Sequence, residues 1–124
     1  MSSTASLYDP SGFLELADQL LGDGRYAEKG RSRTVVGRAY YAAFLMVKKK
    51  LESLGCSFED IHRIHEQVIV SANEKNSAVG NKLETLRRYR VDADYEMGAQ
   101  INVSTAGKCV SLSRKVMHSL NQFR

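Results

Sequence analysis

The stretch LRRYRVDADYEMG, Leu86 to Gly98, places three arginines among two aspartates and two tyrosines. A guanidinium offers a planar fork of N–H donors that fits phosphate oxygens, so the first chemistry to consider is the holding of a phosphodiester. Arg90 is the residue to explain. It falls on the apolar stripe of Val79, Leu83, Leu86, Ala93 and Met97, where an arginine is rarely buried without a partner. Asp94, one turn on, offers an ion pair in the weaker of the two helix orientations. The guanidinium could instead snorkel to the bundle edge, or meet a partner from another helix or subunit. Arg87 and Arg88 can each be matched by Glu84 at i+3 and i+4, which reads as a solvated face. The functional alternative is a groove for RNA phosphates lined by Arg87, Arg88 and Arg90.

A second group surrounds Arg38, at the head of RAYYAAF. Asp94 or Asp92 could meet it and form a structural ion pair. Tyr40, Tyr41 and Tyr95 carry hydroxyls that need partners if buried, so they can tie helices together. His62 and His65, with Cys56 and Glu66 nearby, suggest metal ligation only on paper. No recognisable spacing assembles a four-ligand set, and ordinary helix-surface histidines are expected. No metal and no cofactor is expected. There is no Walker A loop, no HExxH and no nucleophile triad.

These residues need helices to position them. DPSGFLELADQLLGDG starts with Asp9 or Ser11 as N-cap and Pro10 in the first turn, and Gly22 to Gly24 stops it. GRYAEKGRSR reads as a basic connector or the frayed start of the next helix. In that second helix Val36, Tyr40, Ala43, Val47, Leu51 and Leu54 share one face, widened by Phe44, with Gly55 as the C′ residue. A third is expected after Ser57 or Asp60, with Ile61, Ile64 or His65, Val68 and Ala72 inward. KNSAVGN breaks it. The fourth runs from about Ala78 through Tyr95. The fifth starts near Ser104, with Cys109, Ser113, Val116, Leu120 and Phe123 inward. The expected fold is all-α, an up-and-down bundle of about five helices spanning residues 9–124, after a flexible tail over 1–8.

The 124 residues suit one core, and 43% hydrophobic with 26% charged residues is ordinary for a globular chain. A single proline favours helices over a many-turned β fold. The net charge of +4 is compatible with RNA or an acidic partner. Two distant cysteines read as reduced thiols of a cytosolic protein. The start lacks the regions of a signal peptide, and the nine-residue run AYYAAFLMV is far too short to span a membrane.

GRAYYAAFLMVKKKLESLG, IHRIHEQVI and LETLRRYRVDADYE, in this order, resemble the HEPN domain over about residues 11–123. Such small helical domains are common in prokaryotic toxin–antitoxin and defence systems, often encoded beside a minimal nucleotidyltransferase. The resemblance implies a homodimer with the fourth helices facing each other. In active members that face carries an arginine, a polar residue, a few others and then a histidine, and the paired motifs cut RNA without metal. Arginines there would stabilise charge developing on the phosphate, and histidines would serve as acid and base.

In this chain Arg90 takes the arginine's place, Val91 replaces the polar residue, and Asp94, Tyr95, Glu96 and Met97 stand where the histidine is expected. A phenol titrating near 10 is a poor base at neutral pH. Two readings follow. One is a dimeric protein with a degenerate RNase motif, binding RNA or a nucleotidyltransferase antitoxin. The other is a metal-independent endoribonuclease using Arg90 with Tyr95, Asp92 or Asp94. Some relatives are silenced by nucleotide transfer to a tyrosine near the motif, which makes Tyr95 a candidate acceptor.

Overall fold

A computed structural model describes residues 8–123. Residues 1–7, and with them nearly all of the expected tail, lie outside the described residues. Among the described residues five α-helices form the fold: α1 (Ser11–Leu21), α2 (Glu28–Ser53), α3 (Ile64–Lys75), α4 (Ser77–Tyr95) and α5 (Val103–His118), followed by a 3₁₀ turn at Leu120–Gln122. No strand occurs among the described residues.

The central element is α2, which packs against α1, α4 and α5 and more lightly against α3. Its 26 residues span about 39 Å at 1.5 Å per residue. Val36, Ala39, Tyr40, Ala43, Val47 and Leu51 are wholly buried along it, and the many alanines let neighbours approach closely. Glu28 to Arg33, the expected connector or frayed start, is regular helix. At the other end Gly55 takes φ +99°, a left-handed conformation that side chains disfavour. Its N–H donates to the Glu52 carbonyl and that of Cys56 to the Leu51 carbonyl, which together make a Schellman stop.

Two expected core positions are outside it. Leu54 follows the last turn of α2 and is exposed, and Met97 lies beyond the end of α4 and is 74% exposed. The third helix also begins later than its apolar pattern suggests. Asp60 turns the chain by accepting the His62 N–H through its side chain and the Arg63 N–H through its carbonyl. Ile61 is therefore exposed in a loop, and α3 starts at Ile64.

One residue, Asn76, separates α3 from α4. Its backbone N–H donates to the Ala72 carbonyl and its side chain accepts the Val79 N–H, so it ends one helix and caps the next. The helices then lie very close. A Cβ at Gly80 would sit 2.4 Å from the Asn73 side chain and 2.7 Å from its Cα. Helix propensity alone would favour alanine there by about 1 kcal/mol. Backbone crowding reverses the sign. Gly80→Ala is expected to destabilise the protein by about 2 kcal/mol, read as a lower urea midpoint at unchanged slope; a gain in stability would contradict this packing.

Candidate functional site

Arg90 projects from α4 and is only 16% exposed. Its Nε donates to Asp94 at 2.9 Å, the i+4 pair anticipated as the structural alternative. Its guanidinium carbon lies 5.1 Å from the ring centroid of Tyr41 on α2 and 5.7 Å from that of Tyr95 on α4. Two aromatic faces and a carboxylate thus hold a cation that would otherwise be unfavourable at this depth.

Arg38 does not meet Asp94 or Asp92. Its guanidinium stands 5.6 Å from the Tyr41 ring and 5.2 Å from that of Phe13 on α1. Arg38 and Arg90 therefore both lean on Tyr41. The anticipated pairs of Arg87 and Arg88 with Glu84 are not among the ion pairs of the described residues. Half-buried Arg87 and exposed Arg88 line a shallow hollow with Glu84, Val91 and Asp92 on the outer face of α4. Of the candidate residues, Arg38, Arg90, Asp94 and Tyr95 are brought together by ring and ion-pair contacts, while Arg88 and Asp92 lie on that adjoining face.

His65 is not an ordinary surface histidine. It is half-buried at the start of α3 and stacked on Phe44, with ring centroids 4.4 Å apart. Tyr40 and Tyr41 also pack against it. The wholly buried Tyr40 hydroxyl bonds its Nδ1. Burial pushes the Tyr40 phenol far above its ordinary range. The phenol consequently keeps its proton and donates it, Nδ1 accepts, and Nε2 carries the imidazole hydrogen. Burial, then the nearby positive charges of Arg87 and Arg90, lower the pKa of His65. The imidazole is therefore neutral at pH 7.

That depressed pKa fixes a direction. Above about pH 6.5 the imidazole is neutral in folded and unfolded chains alike. As pH falls below that value, the unfolded chain takes up a proton that the folded one refuses, so stability declines until the lower folded pKa is passed. Urea midpoints should fall between pH 7 and pH 5 in the wild type and more weakly in His65→Gln. Tyr40→Phe, which strands Nδ1, should cost about 1–2 kcal/mol at pH 7.5. Equal pH slopes in wild type and His65→Gln would refute the assignment.

The far end of α4 is held by Arg33, which ends the basic cluster in GRYAEKGRSR. Its Nη1 donates to the carbonyls of Asp92 (3.3 Å), Ala93 (2.8 Å) and Glu96 (3.2 Å), and its Nη2 to those of Met97 (3.3 Å) and Ala99 (3.0 Å). Neighbours in that cluster are similarly engaged. Arg25 pairs with Asp23 at 2.7 Å, and Arg31 donates to the carbonyls of Asp23 and Tyr26.

His62 is exposed and precedes α3, so the two histidines do not share a helix face. Among the described residues no group of three or more His, Cys, Asp or Glu side chains could hold a metal ion. No helix there is long and apolar enough to cross a membrane.

Sequence reasoning missed the roles of Arg33 and Phe13, and left His65 between an inward and a surface position. The one available signal was Tyr40, a tyrosine on an apolar stripe whose hydroxyl had to find a polar partner.

No curated protein and no solved structure gave a match. Comparison with family profiles matches the HEPN domain over residues 11–123, nearly the whole chain. The all-α fold agrees with that match, and the chain belongs to the HEPN domain family.

Proposed function

We propose that this is an RNA-binding HEPN protein of a toxin–antitoxin or defence-type system, acting as a homodimer beside a nucleotidyltransferase partner, with an RNase motif that no longer cuts. One observation carries the reading. Arg90 is held between two rings and paired with Asp94, on a helix that contains no histidine. Such an arginine can bind a phosphate, while the carboxylate beside it opposes the build-up of negative charge that cleavage requires. Val91 and Met97 are exposed around the end of α4 and supply the apolar patch for a second copy.

The test is incubation of a labelled RNA pool in EDTA with wild type and Arg90→Ala at matched dimer content. Retention without cleavage by the wild type, lost in the variant, is the expected result. Cleavage by the wild type overturns the non-cleaving assignment.

A cleaving reading is favoured by a different observation, the packing of His65 and Arg90 against the same ring, that of Tyr41. His65 would supply from α3 the imidazole that α4 lacks, in place of Asp94 and Tyr95, and His65→Asn would then abolish cutting as fully as Arg90→Ala.

Tyr95 is 66% exposed, which suits an acceptor for nucleotide transfer. Its phenol oxygen would attack the α-phosphorus of a nucleoside triphosphate, with loss of pyrophosphate and release of the phenolic proton to water. Incubation with the partner and ATP should add one nucleotidyl mass, absent in Tyr95→Phe. An adduct that survives this substitution would rule Tyr95 out.

A further inference from the structure

The contacts at Arg90 and Arg38 belong to a longer row. Tyr8 packs edge-on against Phe13 at 5.1 Å, Arg38 lies over Phe13 and over Tyr41, and Arg90 lies over Tyr41 and Tyr95. Aromatic rings and guanidinium groups therefore follow one another from the start of α1, across α2, to the end of α4. The two ends are open, Tyr8 at 62% exposure and Tyr95 at 66%.

Arg38 is the link that packing alone does not explain. Arg90 has Asp94, Arg33 has five carbonyls, and Arg31 and Arg25 have theirs. Arg38 has no hydrogen bond or ion pair among the described residues. It is half-buried, yet none of its nitrogens is a sealed atom without a partner, so water reaches them. Rings hold the guanidinium in place while its N–H donors stay available. A preorganised cation with unused donors is suited to a phosphate.

We propose that this row is a track for single-stranded RNA: Arg38 takes a backbone phosphate neighbouring the one at Arg90, and bases stack on the open faces of Tyr95 and Tyr8. The inference rests on the RNA-binding reading above and extends it to a substrate class and to residues of α1 and α2. Duplex RNA is excluded by the same features. Its bases are already stacked on one another and cannot cover a tyrosine, whereas unstacked bases can.

The experiment is fluorescence anisotropy with a labelled single-stranded uridine oligonucleotide and a blunt RNA duplex of equal length, across a salt series. Wild type should prefer the single strand. Arg38→Gln should weaken it by about 10- to 100-fold and lower the slope of log K against log salt by about 0.7, the signature of one phosphate contact fewer. Tyr8→Ala, at an exposed position, should weaken it by about 5- to 100-fold without changing the slope. Loss of binding in Arg90→Ala with full affinity and slope in both of these variants would overturn the track and leave the RNA-binding reading standing. Equal affinity for the duplex would overturn the single-strand assignment. A wild type that binds neither RNA would end both.

Discussion

Arg33→Ala is expected to lower stability by about 3 kcal/mol, a larger effect than truncation of any other charged side chain in the protein. The last four carbonyls of a helix have no partner within it. At the end of α4 one guanidinium takes the carbonyls of Asp92 and Ala93 and then those of Glu96, Met97 and Ala99 in the following turn. Hydrogen bonds from a charged donor are worth about 1.5–3 kcal/mol each when made singly, and shared donors and partial exposure reduce the sum well below the simple total. A cation near a helix C-terminus adds a few tenths to about 1 kcal/mol through the macrodipole.

Arg33→Lys should recover less than half of the loss, because one ammonium on a flexible stem cannot reach carbonyls on both sides as the planar fork does. Urea denaturation checks both values. Hydrogen exchange checks the location, since amides of residues 90–99 should lose protection ahead of α2. A loss below about 1 kcal/mol, or exchange that changes uniformly, would mean that the clamp is incidental.

How much of this could be read beforehand depended on the kind of partner involved. Helices were legible where apolar residues recur on one face, and their ends where a glycine or asparagine supplies a stop or cap, as at Gly55 and Asn76. The pairing of Arg90 with Asp94 was legible too, since both lie on one helix at i+4 spacing. Contacts to backbone were not. Nothing in the side-chain pattern marks the carbonyls that Arg33 binds, so a structural arginine looked like part of a basic connector.

The start of α3 was misplaced for a related reason. Ile61 continues the apolar period into a loop that the Asp60 turn takes out of the helix. His65 was left between an inward and a surface position, because its partners come from α2 rather than from its own segment. Arg38 was assigned an acidic partner because charges invite that inference. Its actual neighbours, the rings of Phe13 and Tyr41, come from α1 and from its own next turn.

Arg90 and Asp94 should move RNA affinity in opposite directions. Arg90→Ala removes a charge-assisted donor to phosphate, expected to weaken single-strand binding by about 10- to 100-fold. Asp94→Asn should strengthen it by about 3- to 10-fold at low ionic strength. The 2.9 Å pair ties up the Nε donor and sets a negative charge within a few ångströms of an incoming phosphate. Repulsion between unit charges at such distances is several kcal/mol at an effective dielectric near 20, and salt screens most of it for a carboxylate that is 39% exposed. The gain should therefore shrink as salt rises.

The double variant separates two explanations. If the carboxylate acts by competing for Arg90, Asp94→Asn loses most of its benefit once Arg90 is alanine, and the cycle gives a coupling of about 1 kcal/mol. If it acts only as a general negative charge, the benefit persists undiminished. A third result, weaker binding in Asp94→Asn alone, would make Asp94 the group that aims Arg90 at its phosphate. The motif would then be a positioned pair rather than an arginine restrained by its own acid.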